Sequence, residues 1–167
     1  AIATKVNSTV QGFITNFTMA INPQITKSYA SGDYDYMLNL IFKGSRFSFY
    51  MMLFLSLPII LNADYVLSLW LGIVPEYAIT FVCLILVLAM VDILSNSLIT
   101  TILATGKVRT YQIVVSSIQF LNIPISYVFL WLGYSPASVI IVAIVLSNIA
   151  LFVRLYICLL YTSDAAD

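Results

Sequence analysis

Residues 75–106 read PEYAITFVCLILVLAMVDILSNSLITTILATG. Between Glu76 and Lys107 the only formally charged side chain is Asp92. Proline suits the first position of a helix, an acid suits the positive end of the helix dipole, and glycine suits the residue just past the other end. A bilayer span needs about 20 apolar residues at 1.5 Å rise each, and this stretch exceeds that. It predicts a transmembrane helix from Pro75 to about Thr105. Composition points the same way. The chain of 167 residues is 62% hydrophobic and 8% charged, whereas an average soluble domain is about 25% charged. Mean hydropathy is +1.03. Seven basic and seven acidic residues could not cover the apolar surface of a soluble fold. The fold class is all-α and integral to a membrane.

Outward from that helix, three further apolar stretches and one more polar one give about five spans. The first helix is predicted from Ile2 to Asn22, ending at Pro23. Thr4, Ser8, Gln11, Thr15, Thr18 and Asn22 recur at steps of four and three, which is one helical face. Lys5, Gly12 and Asn16 flank it. Such a stripe faces other helices or water rather than lipid. Gln24 to Gly32 reads as a polar connector, and Asp33 as the N-cap of a second helix that enters the membrane near Phe47 and runs to Leu61, with Pro58 bending it. Asp64 to Gly72 reads as a short interfacial helix with Val66, Leu67 and Trp70 against the headgroups. A fourth helix is predicted over Tyr111–Leu132 with Pro124 inside it. Gly133-Tyr134-Ser135-Pro136 is a tight turn with Ser135 as cap, and a fifth helix covers Ala137–Ile157.

The charges orient these spans. Lys27, Lys43 and Arg46 lie between the first and second helices, Lys107 and Arg109 between the third and fourth. Asp64 and Glu76 occupy the connector between them in sequence, and Arg154 closes the fifth helix. All loop cations fall on one side, which is therefore expected to be cytoplasmic. Zero net charge leaves no basic footprint for nucleic acid. There is no histidine, the commonest metal ligand and usual general base. Cys83 and Cys158 imply no disulfide framework. No nucleophile–base spacing, phosphate-cradling glycine loop or pair of carboxylates on one helix is present, so the chain reads as non-enzymatic and no cofactor is expected.

Few groups remain to carry chemistry. A cation within a span costs about 2.5–3.5 kcal/mol on insertion scales. Lys5 therefore either contacts an anion or snorkels to the outer headgroups. Asp92, with Ser95, Asn96 and Thr100 three, four and eight residues on, forms a polar face. It reads either as an ion-coupling carboxylate or as an interhelical hydrogen-bonding acid. Gln112, Ser116 and Gln119 share a face of the fourth helix, which reads either as a sugar-facing wall or as helix–helix glue.

Ile2-Ala3, Val6-Asn7, Val10-Gln11, Phe13 and Asn16-Phe17, followed by Asn22-Pro23-Gln24-Ile25-Thr26-Lys27-Ser28-Tyr29-Ala30, resemble polysaccharide flippases of the Wzx type. These belong to the multidrug/oligosaccharidyl-lipid/polysaccharide exporter superfamily. Leu69-Trp70-Leu71, Val74-Pro75-Glu76-Tyr77, Ala104-Thr105-Gly106-Lys107 and Asn122-Ile123-Pro124-Ile125-Ser126-Tyr127 extend the resemblance over almost all of 1–157, with a Bacteroidetes-like character. The resemblance implies a MATE-like fold of two six-helix lobes, of which 1–157 is part of the C-terminal lobe. It implies multi-pass residence in the inner (cytoplasmic) membrane. It also implies turning of an undecaprenyl-diphosphate-linked oligosaccharide between leaflets by alternating access, as in O-antigen and lipopolysaccharide biosynthesis. Partners are then this lipid-linked substrate, membrane lipid and an N-terminal lobe. Substrate contacts are expected from Lys5, Gln11, Asn16, Gln112 and Gln119, with Asp92 for ion coupling. A neutral amide is expected at position 5 in the family, and Lys5 departs from it. An ion-coupled multidrug exporter of the same superfamily and a membrane glycan-assembly enzyme such as a polymerase are the alternatives. Residues 158–167, Cys158 to Asp167, resemble a translated sequencing adaptor, which implies that they are not native.

Overall fold

The computed structural model describes residues 2–71, 74–104 and 108–166. Its elements are α1 (Ile2–Ala30), α2 (Tyr34–Leu61), α3 (Ala63–Leu71), α4 (Ala78–Ala104), α5 (Val108–Phe120), α6 (Asn122–Trp131) and α7 (Ser138–Ala166). There is no strand among the described residues. Four segments are long and apolar enough to cross a membrane: Tyr34–Leu61, Ala78–Ala104, Val108–Trp131 and Ser138–Leu160. The protein is thus an all-α, membrane-embedded, multi-pass chain. α1 has the length of a span with 29 residues, but its polar face keeps it apart from these four.

α4 is the central helix. α1 and α2 pack on one another and on α4, α7 packs on α4, and α5 and α6 pack on α7. Two apolar clusters follow α4 along its length. Towards its start, Val82, Leu86, Ala89 and Ile93 meet Val6, Val10 and Ile14 of α1, Met52 of α2 and Leu67 of α3. Towards its end, Leu98 and Ile102 join Ile25, Met37, Ile41, Tyr111, Val115 and Ala150. α1, α4 and α7 therefore run the same way, and α2 runs against them. The buried stripe of α2 is Met37, Ile41, Gly44, Ser48, Met52 and Ser56. Its small residues let backbones approach. A Cβ on Gly44 would lie 3.3 Å from Ile21 Cδ1 and 3.8 Å from Ser97 Oγ. The Ser56 hydroxyl is turned back onto the Met52 carbonyl.

The prolines act differently from expectation. The predicted stop at Pro23 does not occur, because α1 continues to Ala30. Pro23 and Met19, whose carbonyl it leaves unbonded, both stand on the exposed side. The turns beyond are held by Ile25 and Ser28, which are buried in the bundle. The helix ends at Gly32, with φ +74°. Gly32 N–H donates to the Tyr29 carbonyl and Asp33 N–H to the Ser28 carbonyl, each at 3.1 Å, a Schellman ending. Asp33 then caps α2 as expected, its carboxylate accepting from Tyr36 N–H at 3.1 Å. Pro124 instead divides the predicted fourth helix into α5 and α6. It has no N–H for the Phe120 carbonyl, and the helix breaks next to it, at Leu121. Pro58 lies inside α2 as expected, and the backbone and side-chain amides of Asn62 both bond its carbonyl.

The start predicted at Pro75–Glu76 moves to Ala78, whose N–H closes a turn onto the Pro75 carbonyl at 3.1 Å. Thr105, Gly106 and Lys107 lie outside the described residues. The 133–136 turn is present, with Gly133 at φ +82° and Tyr134 N–H bonded to the Phe129 carbonyl at 3.1 Å. α3 forms where the short helix is expected, but Leu67 is buried, with α3 packed on α4 and α2. The Trp70 side chain is outside the described residues. α7 extends past Ile157 to Ala166, since no glycine or proline interrupts 158–166.

Candidate functional site

α1 turns Val6, Val10, Ile14, Thr18, Ile25 and Ser28 inward and leaves the rest of its polar stripe open or half-open. Ser8, Thr9, Gln11, Gly12, Thr15 and Asn16 line an open groove of about 590 Å³. Thr15 also belongs to a second depression of about 280 Å³, where Thr18, Asn22 and the α4 residues Asn96 and Thr100 come together. The two are continuous along α1. The Thr100 hydroxyl donates to the Asn22 side-chain carbonyl at 3.0 Å, tying α1 to α4 at the end of the groove.

Most hydroxyls here are committed to the backbone. Ser8 and Thr9 bond the Lys5 carbonyl at 2.9 and 3.0 Å. Thr15 bonds the Gln11 carbonyl and Thr18 the Ile14 carbonyl, each at 2.9 Å. Among the described residues, the amides of Gln11 and Asn16 make no side-chain hydrogen bond. These are the groups left to meet a ligand or another protein surface. An amide offers both donors and acceptors. Lys5 stands exposed one turn before the groove, at the end of α1 that carries Glu76 and the start of α4.

The structure does not bring the remaining predicted wall to this place. Gln112 and Gln119 lie exposed on α5, which packs against α7 rather than α1. Gln112 Nε2 donates to Ser116 Oγ at 3.1 Å within its own helix.

The polar face predicted around Asp92 is divided. Eight residues advance a helix by about 80°, so Thr100 turns towards α1 while Asp92 turns towards α7. There Asp92 is half-buried beside Ser147, with the Arg154 charge nearby. Arg154, read from the sequence as a closing loop cation, is buried at 9% exposure with no partner for Nε. Ser95 is buried and its hydroxyl is unpartnered. Sequence reading misses this Asp92–Ser147–Arg154 grouping because Asp92 lies more than fifty positions from the other two. The only signal is an acid and a base in two apolar helices. Among the described residues no group of three metal-ligating side chains gathers, and Cys83 and Cys158 are not joined in a disulfide.

The fold and the site define a multi-pass helical membrane protein with an uncovered polar helix face. No protein-family model matches the chain, and no curated protein or solved structure is significantly similar to it.

Proposed function

We propose that this chain forms part of the C-terminal lobe of a lipid-linked oligosaccharide flippase in the inner membrane. The observation that carries the reading is the polar, uncovered face of α1. A membrane helix that exposes Ser8, Thr9, Gln11, Thr15 and Asn16 to lipid is unfavourable. Facing a water-filled cavity against a second lobe, the same face is solvated and available. Amides and hydroxyls in a row suit a hydroxyl-rich sugar unit, while Lys5 at the outer end suits a diphosphate. The lipid tails remain in the bilayer, and rocking of the two lobes exposes the groove to each side in turn. The substrate wall in this reading is Lys5, Gln11, Asn16, Asn22 and Asn96. Gln112 and Gln119 serve as polar contacts along the α5–α7 side.

Co-reconstitution tests the proposal. The chain is placed in liposomes with and without an N-terminal lobe, and a fluorescent polyprenyl-diphosphate oligosaccharide is followed between leaflets. The chain alone is expected to stay at the lipid-only rate, and the pair to flip. Replacing Gln11 and Asn16 together by Leu removes two contacts of about 1 kcal/mol each, lowering flipping by roughly tenfold or more. Lys5→Gln is expected to weaken binding of the diphosphate about ten- to hundredfold, with Lys5→Arg milder. Flipping by the chain alone, or a rate indifferent to all three positions, overturns the reading.

The Asp92–Ser147–Arg154 grouping favours a second reading, an ion-coupled exporter of amphiphilic molecules. Efflux of a cationic dye that depends on Asp92 and on a proton or sodium gradient distinguishes it.

A further inference from the structure

Between Asp35 and Asp64 the sequence holds two charged side chains, Lys43 and Arg46, and both are basic. Both stand exposed on α2. Among the described residues neither makes a side-chain hydrogen bond or an ion pair. Three positions apart, they are neighbours on the helix surface, with Cβ atoms about 5–6 Å from one another. Asp35, the nearest acid in α2, lies about 12 Å of helix from Lys43. Two cations thus stand side by side with no acid between or beside them.

Position narrows the occupant. From Lys43 to Leu61 is about 27 Å of helix, close to the roughly 30 Å of a hydrocarbon core. With Leu61 at one boundary, the basic pair stands at the other. Side chains on a helix lean towards its N-terminus. In α2 that is the end outside the core, so both charged ends rise to phosphate level. Beyond them Phe47, Tyr50, Phe54, Leu57 and Leu61 follow Lys43 at steps of four and three, one helical face. They are 46–78% exposed, so the bundle leaves this face open. A glycerophospholipid matches it from end to end, with its phosphate beside the cations and an acyl chain along the apolar run. Charge selects among lipids. Arginine offers a fork to phosphate oxygens and lysine a point charge, and an anionic lipid balances them without adding a cation of its own. A second copy of the chain meeting through this face would set like charges together. The polar groove is lined by α1 and α4 residues, so this face of α2 lies outside it.

We propose that this face of α2 is a site for an anionic phospholipid, its phosphate held between Lys43 Nζ and the Arg46 guanidinium and one acyl chain laid along Phe47, Tyr50 and Phe54. The site rests only on the membrane embedding of the chain and stands or falls apart from flippase activity.

The full chain in dodecyl maltoside, stripped of lipid, is titrated with dioleoyl phosphatidylglycerol and, separately, with dioleoyl phosphatidylcholine, which has the same chains and no net charge. Native mass spectrometry counts retained lipid. One phosphatidylglycerol is expected per chain, with phosphatidylcholine about thirtyfold weaker, or about fivefold for each cation. Lys43→Gln and Arg46→Gln are each expected to lower phosphatidylglycerol affinity about fivefold. The double variant is expected to fall to the phosphatidylcholine level. Arg109→Gln removes the same net charge from an exposed position on α5 and is expected to leave the preference intact. If the double variant loses its helical circular dichroism, the two single variants decide. Equal affinity of the wild-type chain for both lipids, glutamine variants that keep the full preference, or an Arg109→Gln chain that loses as much as they do overturns the site. A lipid-free dimer that dissociates in the glutamine variants does so too.

Discussion

Gly44 offers a measurable test of how α1, α2 and α4 meet behind the polar groove. In Gly44→Ala the new methyl group lies 3.3 Å from Ile21 Cδ1, 3.7 Å from Ile21 Cγ2 and 3.8 Å from Ser97 Oγ. Only the first is tighter than the roughly 3.5–4.0 Å of a comfortable carbon contact. It involves the end of a side chain that can rotate by a few tenths of an ångström. Alanine also gains about 0.8–1 kcal/mol over glycine in a helix interior. The two effects nearly cancel, and stability is expected to change by less than about 0.5 kcal/mol. Gly44→Leu adds further carbon atoms in the same direction, into the backbones and side chains of both neighbours. Overpacking of that kind costs about 1–3 kcal/mol and outweighs the propensity gain. Gly12 supplies the control, since nothing lies within 4 Å of its Cβ position. Gly12→Leu is expected to be neutral or stabilising. Unfolding by sodium dodecyl sulfate in mixed micelles, followed by far-ultraviolet circular dichroism, gives the three free energies. A Gly44→Leu chain as stable as Gly12→Leu refutes the three-helix junction.

Single cysteines at Ser31 and Ser135, in a Cys83→Ser, Cys158→Ser background, are expected to react with an impermeant maleimide from opposite faces of a vesicle; both positions are exposed, and labelling from one face overturns the orientation. Asp92→Asn and Arg154→Leu are each expected to destabilise the chain, and the double variant is expected to be more stable than their sum by about 0.5–3 kcal/mol, as for residues sharing one environment. Additive losses in the same micelle assay mean that the two charges do not interact.

What was legible in the sequence has physical reasons, and so has what was not. The long apolar runs are legible because a span is defined by length and by absence of charge, both local properties. Asp33 and the glycine of the 133–136 turn are legible for the same reason, since caps and left-handed turns are decided within a few residues. The prolines are not. Pro23 and Pro124 have the same local chemistry. One stays inside a helix because Ile25 and Ser28 beyond it are buried, and the other marks a break between two lightly packed segments. Only the tertiary neighbours distinguish them. The polar stripe of α1 is legible as a period, but not the burial of Thr18 within it while Ser8 and Thr15 stay exposed. Its supposed continuation to Gln112 and Gln119 is not, because periodicity within a helix says nothing about which helices become neighbours. Gly44, Ser48 and Ser56 recur at multiples of four in α2, a packing signal that the sequence contains but that apolar periodicity obscures.

If the chain is oriented as proposed, contacts across the bundle set the depth at which its residues lie. Gly44 meets Ile21 and Ser97, so its neighbours Lys43 and Arg46, both exposed, stand level with Ser97. From Ala78 to Ser97 is about 28 Å of helix, nearly the thickness of the hydrocarbon core. Lys43 and Arg46 then mark the cytoplasmic headgroups. The last turns of α1 and α4 project beyond them. Asn22 and Thr100, whose hydrogen bond closes the groove, fall at its inner mouth. Ser8 to Asn16 fall within the membrane, where a polar surface most needs a partner. Arg154 lies about 10 Å further along α7 than Ser147, which meets Asp92. It therefore reaches the same inner boundary while remaining buried against α4. A guanidinium there is near the headgroups in depth yet shielded from them by protein. That position reconciles its place among the inner cations with its burial. The charge asymmetry along the chain thus becomes an arrangement in space: Lys27, Lys43, Arg46 and Arg154 towards one end of the bundle, Asp64 and Glu76 with Lys5 at the other, and the uncovered amides between them.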